Sequence, residues 1–333
     1  MATALTGLGL VIHAVCSSAA VYQEAFASDP TACGWQCFGE SDLFHWNPAN
    51  QNLEVTWDST RPNSFFFRPL GMTLAKEDDF SLSFDLRVSD IVGGVVASRT
   101  GPFEIAIGFL NMAAAKKDGF RRGTGADSPN LVEFDYFPAG YYDIPEWGGY
   151  FPVAPTVWTT LIDSNTPCVF SAGGYTTPLE LTSNDWFHVT LNYMASNHTL
   201  ATAMLRNGQP YFSIPDAVLG SSFSDFRVDA VSISSYSDAG DFYDSVLAHG
   251  VVDNVVVTVP DGPRLTGDFS NGLWQVEFVS RANWSYLLER STDLTNWAAV
   301  SNEKQGMGTL LLLAETNHPA AAALFYRTRA RRP

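Results

Sequence analysis

Basic residues are missing from the first sixty positions: the first Lys or Arg of the chain is Arg61. A secretory signal opens on a positively charged stretch, and MATALTGLGLVIHAVCSSAA has none, so the chain reads as a mature form. The same segment falls short of the run of about twenty apolar residues that spans a bilayer as a helix. Gly7 and Gly9 argue against a helix there in any case, and no membrane span is expected. Charge is scarce, at 16% of residues, where an ordinary soluble domain carries about a quarter. Only four cysteines occur, Cys16, Cys33, Cys37 and Cys168, and four thiols allow three pairings. The spacing of Cys33 and Cys37 suits a local disulfide loop. It does not suit zinc, because no second Cys/His pair follows at ligand spacing. The six histidines (His13, His45, His188, His198, His249, His318) are scattered without metal spacing, and neither a repeat nor a long helical periodicity is present.

Apolar residues make up 46% of the 333 positions and aromatics 13%, ample for a large core. Strand-like runs follow one another at 52–57, 64–68, 80–88, 103–110, 131–137, 187–194, 199–206, 226–235 and 251–259. Phe80, Leu82, Phe84, Leu86 and Val88 alternate with polar residues, the period of a strand with one buried face. Asn207-Gly208 between two such runs marks a two-residue hairpin. This pattern predicts an all-β protein with a large two-sheet jelly roll over 21–260. The sequons at Asn197 and Asn283, with the even cysteine count, favour an extracellular place.

A Pro-Asp-Gly-Pro linker at 260–263 precedes a small β-module, 264–333, with five strand candidates. An immunoglobulin-like sandwich takes about seven strands and about a hundred residues, so the module is expected to be an incomplete sandwich. Its open groove would be lined by Trp274, Val276, Phe278, Leu288 and Leu311. At the other end, Leu8, Leu10, Ile12 and Ala14 alternate along an extended strand, 1–20, that is apolar on both faces. The two features together predict a donor strand that completes the module of another copy, building a helical fibre of copies of the chain. The alternative is that 1–20 pairs with its own jelly roll. Charge points the same way as the fibre: residues 263–333 hold eight Lys/Arg against six Asp/Glu, leaving 11 against 29 before them. An acidic body and a mildly basic tail attract head to tail. The acidic body argues against nucleic acid as a partner.

The stretches QNLEVTWDS, FSLSFDLRVSD, VEFDYFP, FRVDAVSISSYSDAG and HGVVDNVVVTVP resemble secreted bacterial jelly rolls similar to concanavalin A-like lectins and glucanases. The tail, with YLLERSTDLTNWAAV and FYRTRA, resembles the short β-modules that close many such proteins. The pairing of a free first strand with an incomplete sandwich resembles donor-strand exchange in pili. Glucanases of this fold carry Glu-x-Asp-x-Glu on one strand, and here Glu133 and Asp135 keep the first two positions while Phe137 replaces the third. The resemblance therefore implies a non-enzymatic protein, with Glu133 and Asp135 left to hydrogen-bond or to bind an ion. Glu24 and Asp253 resemble the structural calcium ligands of some carbohydrate-binding jelly rolls, with Asp238 and Asp241 as further donors; solvated loop acids are the plain alternative. No other cofactor is expected. Tyr141, Tyr142, Trp147 and Tyr150 crowd a Gly- and Pro-rich loop at 137–158. Rigid aromatics on a loop stack sugars or anchor subunits. The expected function is a structural subunit of an extracellular fibre, and the alternative a secreted carbohydrate-binding protein, with a glucanase-like hydrolase third.

Overall fold

A computed structural model describes residues 20–120, 130–144, 149–164, 168–172, 178–237, 244–260, 265–270, 272–282, 284–317 and 324–331. The chain divides into two compact units, Met1–Pro260 and Asp261–Pro333. Nearly all of the regular structure is β, as the alternating patterns require.

The first unit is a sandwich of two large, mostly antiparallel sheets, a jelly roll. One sheet runs in the order Gln209–Ser213, Thr199–Arg206, Phe187–Met194, Phe80–Gly93, Asp244–Val259, Asn52–Asp58, Phe44–Asn47. Ala20–Glu24 adds to the same sheet by pairing Val255–Val259, so the first described strand joins its own body. Leu8, Leu10, Ile12 and Ala14 lie outside the described residues. The hairpin at Asn207-Gly208 forms as the sequence demands: Arg206 faces Gln209, and both turn residues take positive φ, 49° and 78°. Two consecutive left-handed residues match the twist of the flanking strands.

The second sheet runs Cys168–Ala172, Thr156–Ile162, Leu131–Phe137, Ile105–Leu110, Val228–Ser235, Ser64–Leu74, Gln36–Phe38. Its inner face meets the first sheet through aromatic edges, with Phe84 on Phe134 at 5.6 Å and Phe80 on Phe109 at 5.2 Å. Thr159 and Thr202 share a buried hydroxyl hydrogen bond of 2.7 Å across the sandwich. The outer face differs between the sheets. Phe80–Gly93 alternates between buried and half-exposed residues along most of its length, whereas every residue of Leu131–Phe137, Ile105–Leu110 and Thr156–Ile162 is buried. Continuous apolar runs such as IAIGFL are the sequence mark of a strand covered on both sides.

The second unit holds a three-stranded sheet (Thr266–Ser270, Leu273–Val279, Leu310–Ala314) and a four-stranded one (Ala298–Ala299, Ser285–Ser291, Lys304–Gln305, Phe325–Arg331). The strand taken to be lacking is present as Thr266–Ser270, which Gly267 and Asp268 hid from a hydrophobic reading. Val276, Phe278 and Leu288 are buried with Tyr286, Val300 and Leu313 in the module's own core, and Trp274 and Leu311 pack against it. The expected acceptor groove is therefore corrected for Val276, Phe278 and Leu288, which the module's own side chains bury without a partner strand, while Trp274 and Leu311 stay partly exposed.

Candidate functional site

The chemistry-bearing strand is Leu131–Phe137. Glu133 and Asp135 are two apart and so share a face, the one turned away from the inter-sheet core that receives Phe134. Their neighbours across the ladder are small on one side, where Gly108 faces Glu133 and Ala106 faces Asp135, while Thr160 and Trp158 face them on the other. Beyond Gly108 and Ala106 lie Ser232 and Ser234, whose hydroxyls are 3.0 Å apart. Gly108 leaves the space that Glu133 occupies. A Cβ there would stand 2.8 Å from Glu133 Cγ and 2.3 Å from the Val132 carbonyl oxygen.

Glu104, at the entry to the Ile105–Leu110 strand, completes a cluster. One carboxylate oxygen each from Glu104, Glu133 and Asp135 lie within 4.8 Å of one another, and none of the three residues is more than 1% exposed. Tyr236 donates its hydroxyl to Glu133 Oε1 at 2.6 Å, and Thr160 donates to Asp135 Oδ2 at 2.5 Å. Hydroxyls that donate to carboxylates favour the charged form, while burial and like charge oppose it. Three carboxylates this close need compensating positive charge, from a cation, a basic group or protons. An all-oxygen donor set of this kind fits a hard divalent ion such as calcium.

The strand leads directly into the aromatic segment, which is a hairpin where a loop was expected. Gly140–Ile144 pairs Gly149–Val153, then the chain returns as Thr156–Ile162 beside Glu133 and Asp135. Pro102 packs against Gly140, where a Cβ would stand 3.0 Å from the Pro102 Cβ. Tyr141 is 58% exposed. Tyr142 and Tyr150 lie on the paired strands opposite Phe151 and Asp143, while Trp147 lies outside the described residues. Phe137, where the glucanase pattern has its third acid, is buried against Trp158 with ring centres 5.2 Å apart.

The other predicted acids do come together. Glu24 is 6% exposed; its Oε1 accepts from the Phe26 N–H at 2.8 Å, and its buried Oε2 has no hydrogen-bond partner. Asp253 sits at a bulge in the Asp244–Val259 strand, followed by Asn254 with φ of 48°. Burial pushes the Asp253 carboxyl above the usual range, and the nearby carboxylates of Asp85 and Glu24 add to the rise. Asp85 itself is held by His188 Nδ1 at 2.6 Å and by the Asn254 amide at 2.8 Å. Asp238 and Asp241 lie outside the described residues.

The disulfide expectation is overturned. Cys33 and Cys37 are free, exposed thiols. Gly34, with φ of 91°, turns the chain out of the Pro30–Cys33 helical turn, and Cys37 enters a strand opposite Phe66. Sequence spacing does not supply the close Cβ approach that a disulfide needs. Asn197 is exposed in the turn before Thr199–Arg206, and Asn283 lies outside the described residues. Glu104, Thr160 and Tyr236 escaped the sequence reading because their link to Glu133 and Asp135 is made only by strand pairing and packing. The one available signal was the small pair, Ala106 and Gly108, spaced like the two acids they face.

No protein family and no curated protein matches this chain. Among solved structures, it is similar to peanut lectin bound to a nine-residue peptide, at 14% identity and TM-score 0.46, over 74% of this chain and 100% of that one. It is similar to lectin UEA-II complexed with galactose, at 12% identity and TM-score 0.44, over 73% and 99%. Alginate lyase Aly36B is similar at 13% identity and TM-score 0.36, over 73% and 93%.

Proposed function

We propose that this chain is an extracellular glycan-binding protein, not a hydrolase, in which a divalent cation on Glu104, Glu133 and Asp135 fixes the aromatic hairpin that meets the sugar. The observation that carries this reading is the direct continuity between the buried carboxylates and the hairpin. Glu133 and Asp135 stand on the strand that enters it, and Thr160, which donates to Asp135, stands on the strand that leaves it. An ion held there would brace both legs, with Tyr141 exposed beyond them as a stacking surface. Glycoside hydrolysis instead needs two acids that reach the scissile bond, and sealed acids cannot. In the same reading Glu24 and Asp253 hold a structural calcium near the chain's first and last body strands. Strand insertion into the C-terminal module is not part of it, because Val276, Phe278 and Leu288 are buried there by the module's own side chains.

A glycan array probed with the full chain tests the reading. Binding to neutral glycans should be lost in EDTA, be restored by calcium, and fall at least about tenfold in Tyr141→Ala with an unchanged melting temperature. Chelation-insensitive binding, or none at any cation, would remove it. Sugar release that disappears in Glu133→Gln would assign a hydrolase instead.

A further inference from the structure

The C-terminal module carries a basic row that the glycan reading does not use. Phe325–Arg331 pairs only with Ser285–Ser291 among the described residues, so it is an edge strand. Arg327, Arg329 and Arg331 alternate along it and therefore share one face, opposite Glu289, Leu287 and Ser285. Residues two apart in a strand stand about 6.5–7 Å apart, so the three arginines leave the backbone in a row. Arg327 and Arg329 converge on one carboxylate: Arg327 Nε and Arg329 Nη1 lie 2.8 and 2.9 Å from Glu289, which is itself buried. Arg331 is exposed and makes no ion pair among the described residues. The row thus keeps an excess of two positive charges in a chain of net charge -16. The Arg327 guanidinium also lies over the Trp297 ring, 4.3 Å from its centre.

We infer that this row binds a linear acidic polysaccharide with one carboxylate per sugar ring. Guanidinium groups match carboxylates in plane and in pairs; Arg327 and Arg329 keep donors beyond those given to Glu289, and Arg331 follows on the same face with its own. Blunting a sheet edge against aggregation needs no more than an isolated charge; three arginines in register go beyond that. Another copy of the chain is the weaker fit. Although its body is acidic, its described strands carry acids at alternate positions only at Glu133 and Asp135, which are buried. The row shares no residue with the cation cluster, so it stands or falls independently of it.

The experiment uses the full chain in EDTA, titrated with polygalacturonate and with the same polymer after carboxyl reduction. Binding to the acidic polymer should weaken steadily as salt rises, and the neutral polymer should not bind. Arg331→Glu changes an exposed position and should lower the affinity about five- to tenfold, with the melting temperature unchanged. The combined Arg327→Gln/Arg329→Gln/Glu289→Gln variant leaves no buried charge behind and should abolish measurable binding. Equal binding of the reduced polymer, or wild-type affinity in Arg331→Glu, overturns the inference. So does a result in which these variants remove salt-sensitive self-association while polymer binding persists. The glycan reading is scored by EDTA-sensitive binding of neutral sugars, so the two fail by different signs.

Discussion

At Gly108 a single added methyl group would strike the Val132 carbonyl and the Glu133 side chain together. Backbone cannot yield as a side-chain tip can, so Gly108→Ala should destabilise the body by about 1–3 kcal/mol or more, read as a lower urea midpoint. Asp253 carries the opposite kind of stress. Burial, then repulsion from Asp85 and Glu24, raises its carboxyl above the usual range. The folded chain then holds this proton more tightly than the unfolded one. The stabilisation is present below the usual carboxylate range, near about pH 4, and is lost as pH rises through the raised value. In EDTA, Asp253→Asn should flatten that decline and raise the melting temperature at neutral pH. Calcium should stabilise wild type by more than it stabilises the variant, which keeps the cluster of Glu104, Glu133 and Asp135. Thermal melts from pH 4 to 8 check both.

Among the elements, the hairpin at Asn207-Gly208 is the plainest case of local chemistry setting geometry. Gly208→Val places a β-branched residue at φ of 78° and should cost about 1–2 kcal/mol, with the rest of the sheet intact by circular dichroism. Such signals made much of the fold legible from sequence. The strands Phe187–Met194, Thr199–Arg206 and Leu131–Phe137 have the bounds that alternation and turn residues imply. Short elements held by distant partners were not legible: Gln36–Phe38 exists because Phe65, Phe66 and Phe67 offer it a ladder. The aromatic hairpin was read as a loop because Gly and Pro outweigh alternation there. Of the candidate site, Glu133 and Asp135 could be read from their spacing, but Glu104 and Tyr236 reach them only through tertiary packing.

For the molecule as a whole, each unit has its own hydrophobic cluster. A chain ending at Pro260 should therefore melt cooperatively, and its transition in a calorimetric scan should coincide with the main transition of the full chain. Loss of that transition would show that the body depends on the module. Within the body, however, the ends are tied together: Ala20–Glu24 pairs Val255–Val259, and the long Asp244–Val259 strand lies centrally between Phe80–Gly93 and Asn52–Asp58. A ribosome must therefore deliver almost the entire body before its middle can be filled. Until then Phe80–Gly93 waits with one ladder open, and pairings so remote along the chain close slowly. The body must mature late, once its last strand has been delivered, and it is in the interval before then that a chaperone would have its hold.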